Sequence, residues 1–221
     1  MFRNSVGRGG LAVVLCLSMI FSGCSTDWVR EAESIVAALI PAAANLVALV
    51  AALEGKTVSA SDLQIVQNAG TQAAADLQLV QSLIVAYEKA DAAGKPGILN
   101  QIQSAIGAAQ GNLQELLPAL HIKDAATQAK ITAVVGILLA EVQSLGAVVQ
   151  GTGARDQGPG IRGQLSVRAE VRTSLLSAGE FVKSYNATLT AKTGNAELDR
   201  VAAGLRIHGK ASRFATAGVM K

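Results

Sequence analysis

Residues 59–89 read SASDLQIVQNAGTQAAADLQLVQSLIVAYEK, and the spacing of their apolar side chains decides the fold. Leu63, Val66, Gly70, Ala73, Leu77, Val80, Ile84 and Tyr87 recur at steps of three and four without a slip. With 3.6 residues per turn, those steps keep a single helical face apolar for about seven turns. A stripe of that length has to pack lengthwise on other helices. Ser59 with Asp62 three residues on has the form of a capping box, with Asp in the place of the usual Glu or Gln. Gly70 and Ala73 lie on the stripe and leave room for a neighbouring backbone to come close. The helix should stop in Asp91-Ala92-Ala93-Gly94-Lys95-Pro96-Gly97, where glycine and proline punctuate the chain.

The same pattern extends on both sides. Upstream, Trp28, Ala32, Ile35, Leu39, Ala42, Leu46, Leu49 and Leu53 alternate by four and three. Asp27 is placed to cap this segment, and Glu31 and Glu33 suit the positive end of its dipole. Pro41 lies inside it and predicts a kink, or a break near Ile40; Glu54-Gly55-Lys56 ends it. Downstream, Ile98, Ile102, Ala105, Ala109, Leu113, Leu116 and Leu120 mark a third helix, weakened by Gly107 and Gly111 and ended by Pro118. Asp124 caps a fourth, whose face carries Ile131, Val135, Leu138, Val142, Leu145 and Val149. Half of the chain is apolar, yet only 3% is aromatic. Such alanine-rich, aromatic-poor composition favours closely packed helices over sandwiches or barrels. The expected fold is all-α: an up-down bundle of four long helices over residues 24–150, about 35–45 Å long.

Composition changes after Gln150. Residues 151–163 are rich in glycine and charge and read as a connecting loop. Residues 164–221 read as a shorter, basic helical segment that packs on the bundle. In it Val171, Leu175, Ala178, Val182, Tyr185 and Leu189 share a helical face, and Ser177 with Glu180 starts a fresh helix. Thr193-Gly194 stops that helix and Asn195 caps a last one. Phe181, Tyr185 and Phe214 are three of the few aromatic residues outside the N-terminal stretch, a reason to expect packing rather than a floating tail.

At the N-terminus, Arg3 and Arg8 precede an uncharged apolar run over residues 11–21. This is the layout of a secretory signal, and at roughly 16 Å the run is too short to stay across a bilayer. It ends in Phe21-Ser22-Gly23-Cys24, which resembles the lipobox of bacterial lipoproteins, with Phe21 where leucine or a smaller aliphatic is usual. The resemblance covers residues 1–24 and implies removal of residues 1–23. It also implies two or three acyl chains of the palmitate kind at Cys24, export, and anchoring to a bacterial membrane. Ser25 after the cysteine implies, by the same analogy, the outer membrane facing the periplasm. The alternative is an ordinary signal cut at another small residue, leaving Cys24 as a thiol. With Cys16 lost and Cys24 acylated, no disulfide would be available, so the core alone must hold the fold.

Chemistry-bearing clusters are sparse. The two histidines, His121 and His208, lie in unrelated segments, and a metal site would need carboxylates brought in by folding, such as Asp124 near His121. No nucleophile-elbow pattern is present, and Gly151-Thr152-Gly153 follows a helix rather than a strand, which makes it a loop and not a phosphate cradle. We therefore expect no enzyme, no cofactor and no metal. The charge is uneven: residues 24–150 carry six basic residues against eleven acidic ones, and residues 151–221 carry eleven against five. Arg155, Arg162, Arg168, Arg172, Lys183, Arg206, Lys210 and Arg213 form the surface expected to meet an anionic partner, an envelope protein or polymer, unless it docks on the acidic body itself. Aromatic residues are not interleaved with these charges, so nucleic acid is not expected.

Three functions follow as expectations. The first is a non-catalytic, membrane-anchored envelope lipoprotein with a structural or partner-binding role. The second is a membrane-inserting protein of pore- or holin-like type, because residues 34–53 hold 20 uncharged positions. Eight of those are alanine, and Pro41 and Asn45 sit near the middle; in the fourth segment Glu141 costs about 2.5–3.5 kcal/mol on insertion. Both segments therefore read as bundle core. The third and weakest is a carrier of an apolar ligand between helices.

Overall fold

A computed structural model describes residues 27–153 and 177–208. Among them lie six helices: α1 Asp27–Ala51, α2 Ala60–Lys89, α3 Lys95–Ala119, α4 Ala125–Gly153, α5 Ala178–Thr190 and α6 Ala196–Gly204. The first four are the long helices that the apolar spacing predicts. Each packs on the next in the chain, and α1 also packs on α4, which closes the bundle. The loops between them are short, so neighbouring helices run antiparallel. No strand is present among the described residues; Glu54 and Val58 form a single isolated bridge.

Local chemistry sets the ends of the helices. Ser59 Oγ accepts from the Asp62 amide at 3.1 Å at the start of α2. At the start of α3, Pro96 occupies the first turn, where its missing N–H costs nothing, and the Gly94 amide donates to Asp91 Oδ1 at 2.8 Å. Asp124 accepts from both the amide and the hydroxyl of Thr127, at 2.8 and 2.6 Å, and so caps α4. Ser177 and Glu180 form the complete reciprocal capping box of α5, and Asn195 Oδ1 accepts from the Leu198 amide to start α6. Gly55 and Gly194, which end α1's turn and separate α5 from α6, have φ of +75° and +83°, a region that L side chains resist.

Packing then follows the stripes. All eight stripe positions of α2, from Leu63 to Tyr87, are buried, as are all six named on α4. α3 departs slightly: Ile98 is only half-buried, whereas Leu99 and Ile106 join the core. This helix lies between α2 and α4, and two neighbours bury a wider stripe than one. α1 is wider still. Besides its predicted stripe, of which Trp28 alone is half-buried, it buries Val29, Val36, Ala38, Ala43 and Val50, because it packs on α2, α4 and α5 together.

Pro41 neither breaks nor divides α1, which is a single helix through it. Leu39, Ala42, Ala43 and Leu46 on either side are all buried, so both halves dock on the same neighbours and offset the lost hydrogen bond. Pro118 likewise stands inside the last turn of α3, and helix α4 continues through Gly153, three residues into the glycine-rich stretch expected to be loop. The remainder of that stretch, with residues 164–176, lies outside the described residues. Gly70 is used for close approach, but to a side chain rather than to backbone: a Cβ there would sit 2.6 Å from Val47 Cγ2.

α5 packs against both α1 and α4, and α6 packs on α5. Phe181, Tyr185 and Leu189 face inward and are fully buried, so this part of the C-terminal segment adds a fifth wall to the bundle.

Candidate functional site

Most of the candidate site residues lie outside the described residues: Cys24 with the signal segment, Arg155, Arg162, Arg168, Arg172, Lys210 and Arg213, and also Phe214. Two of the basic surface positions are described, and both are exposed. Lys183 is on α5. Arg206 follows α6, with its Nε donating to Ala203 O at 3.2 Å. The fold brings their neighbourhoods together: the Ile207 amide donates to Asn186 Oδ1, and Asn186 Nδ2 donates back to Ile207 O, both at 2.8 Å. Asn186 is one helical turn from Lys183. No group of three or more His, Cys, Asp or Glu residues among the described residues is placed to hold a metal, and Asp124 is engaged in capping.

The structure places its unusual chemistry elsewhere, in polar side chains buried along one edge of α4. Thr127, Lys130 and Glu141 are at most 4% exposed and, with Val134, form a second stripe beside the apolar one. Lys130 ties α4 to the C-terminal unit. Its Nζ donates to Leu189 O at 2.9 Å and to Ala191 O at 2.6 Å, two carbonyls at the open end of α5, and lies 3.7 Å from Asp199 Oδ1 of α6. These are the orphan carbonyls a helix C-terminus leaves, and a cation there also suits the helix dipole. Burial pushes the Lys130 ammonium below its ordinary pKa, partly offset by Asp199. Asp199 itself is lowered: burial works against ionisation, but the Thr193 hydroxyl and amide and Lys130 outweigh it.

Two further ties hold the same unit. Tyr185 Oη donates to Ala42 O at 3.3 Å, and Asn45 Nδ2 donates to Leu205 O at 2.7 Å. Asp62 does more than cap α2. Its Oδ1 accepts from the His121 amide at 2.9 Å, so one carboxylate pins the α3–α4 loop to the start of α2. The His121 amide, then the Ser59 hydroxyl, hold Asp62 below the usual carboxylate range.

Glu141 has no such support. It is 1% exposed, and neither carboxylate oxygen has a hydrogen-bond partner. Burial pushes its pKa up to about 7, with Glu180 of α5 and Glu31 of α1 adding repulsion. Glu141 stands three residues after Leu138 and four before Leu145, so its spacing alone places it on a buried face. Lys130, three after Thr127 and four before Val134, gives the same signal.

Near the chain's entry into α1, Trp28 packs edge-on to Tyr87 of α2 with ring centroids 5.2 Å apart, and Lys95 Nζ sits 5.0 Å from the Tyr87 ring centre. These groups cluster where α1 and α3 begin and α2 ends.

The architecture defines an all-α bundle whose α5–α6 unit is tied by polar side chains to α1 and α4. No family model, curated protein or solved structure matches the chain.

Proposed function

We propose that this chain is a non-catalytic envelope lipoprotein: a helical bundle held on a bacterial membrane through acyl chains at Cys24, where it engages a partner. The observation that carries this reading is the lipobox-type run Phe21-Ser22-Gly23-Cys24, placed two residues before α1 begins at Asp27. A tether of Ser25 and Thr26 would keep the bundle within a few residues' reach of the bilayer, with Trp28, Tyr87 and Lys95 at the near end. Amphipathic rings and lysine stems are side chains that tolerate a membrane–water interface. Two or three acyl chains would anchor stably where one binds marginally. The exposed Lys183 and Arg206 are the described part of the basic surface that would meet an anionic envelope component, and nucleic acid has no place in this reading.

The intact mass of membrane-purified protein tests the anchor. A chain of residues 24–221 carrying a diacylglyceryl group and an amide-linked acyl chain supports it. An unmodified chain starting elsewhere overturns it.

A second reading, membrane insertion, is favoured by two helices long and apolar enough to cross a bilayer, Trp28–Ala51 with mean hydropathy 2.2 and Ala125–Gln150 with 1.8. The core positions of both are occupied in bundle packing, and Glu141 interrupts the second, which is why we rank it below the anchored bundle. Carbonate extraction of a Cys24→Ala variant separates the two: release into the supernatant supports the anchored bundle, and retention in the pellet supports insertion.

A further inference from the structure

Glu141 is a carboxylate enclosed on all sides with neither oxygen bonded, and its setting says what its proton controls. α4 packs on α1, α3 and α5, and meets α6 at one ion pair. From α1, whose ionisable residues at this end are Asp27, Arg30, Glu31 and Glu33, it is Glu31 that bears on Glu141. From α5, which offers Glu180, Lys183 and the buried phenol of Tyr185, it is Glu180. α3 carries only Lys95 and Glu115, one near each of its ends. α6 meets α4 through Asp199 at Lys130, three turns away from Glu141 along the helix. Among the described residues no cation offsets Glu141, and the two charges closest in effect are both negative.

α5 is held unevenly. Its C-terminal half is fixed by Tyr185 on Ala42 O and by Lys130 on Leu189 O and Ala191 O. Among the described residues, its first turn is tied to the bundle by the apolar packing of Ala178, Phe181 and Val182 and not by a hydrogen bond, since the Ser177–Glu180 capping box bonds only to itself. Glu180, which repels Glu141, sits in that turn.

We propose that Glu141 is a proton-operated latch for the first turn of α5. Bearing its proton, it is a neutral part of the α1–α4–α5 seam, and α5 seats along its whole length. Once the proton leaves to solvent, the anion requires water and is repelled by Glu180 and Glu31. The neighbour with the fewest ties among the described residues gives way, so the first turn of α5 lifts with Phe181 and exposes the apolar side chains it covers. A folded-state pKa of about 7 puts this exchange near neutrality. The latch is independent of whether Cys24 carries lipid.

Hydrogen exchange on the full chain tests it, compared at about pH 5.5 and about pH 8 after correction for intrinsic rates. Amides over residues 180–185 should be at least roughly tenfold less protected at the higher pH, while those over residues 63–87 change little. Glu141→Gln should remove the difference, and Glu180→Gln should reduce it. Equal protection of α5 at the two pH values in the unmodified chain overturns the latch, as does the same pH dependence in Glu141→Gln. Should Glu141→Gln fail to fold, a carboxyl NMR titration of the unmodified chain decides. A Glu141 midpoint near that of an ordinary glutamate overturns the proposal, and one near neutrality, with Phe181 resonances shifting in step, supports it.

Discussion

Lys130 shows how much one side chain can bind together in this fold. Its ammonium bridges α4 to the exposed carbonyls of α5 and to Asp199 of α6. Replacing it with methionine keeps the stem's volume but strands two carbonyls and a carboxylate. Lys130→Met should therefore cost about 2–3 kcal/mol in urea unfolding, with α5 and α6 losing exchange protection first. The glycines divide by what stands opposite them. Gly107 and Gly136 face open space, so Gly107→Ala and Gly136→Ala should each stabilise by about 0.5–1 kcal/mol. Gly70 faces the stiff, branched Val47, and the same change there should cost about 1–3 kcal/mol despite alanine's better helix propensity. Thermal melts of the three variants check the contrast. Gly70 was legible as a small residue on a stripe, but its partner, 23 positions earlier in the chain, was not.

Among the elements, α1 and α5 each depend on a single local feature. α1 tolerates Pro41 because both flanks are buried in one continuous interface. Pro41→Ala restores an amide that can donate to Ala37 O, and should raise stability by about 1–3 kcal/mol. A fall in the denaturation midpoint would mean that the ring's packing outweighs the hydrogen bond. α5 depends on its cap: Ser177→Ala should cost about 1 kcal/mol and fray the first turn, seen as faster exchange at Phe181. The caps at Ser59, Asp124, Ser177 and Asn195 were all readable in the sequence, since each acts within three residues of itself. The second partner of Asp62, the His121 amide, lies 59 residues away and follows no local pattern.

For the whole molecule, two opposed groups shape the pH dependence. Asp62 is ionised more readily in the fold than in the unfolded chain. Its stabilisation is present above the ordinary aspartate range and is lost as pH falls through its lowered folded value. Glu141 has the opposite sign. The fold binds its proton more tightly, so that contribution is complete below the ordinary glutamate pKa of about 4.5 and is lost as pH rises towards about 7. Melting temperature should therefore peak on the mildly acidic side, fall towards neutrality and fall again in strong acid. Glu141→Gln should flatten the limb between about pH 5 and about pH 7 and leave the acid limb unchanged.

The four long helices, their order, their main buried stripes and their caps were legible along the chain, because helical periodicity and capping are written within a few residues. The lipobox-type run on which the proposed anchoring rests was likewise read from the sequence. Folding was needed to show that α1 is walled on three sides, that α5 docks between α1 and α4, and which groups surround Lys130 and Glu141. Burial and pKa depend on neighbours brought from distant parts of the chain. Glu31 and Glu180 lie 110 and 39 residues from Glu141, and folding alone makes them its environment.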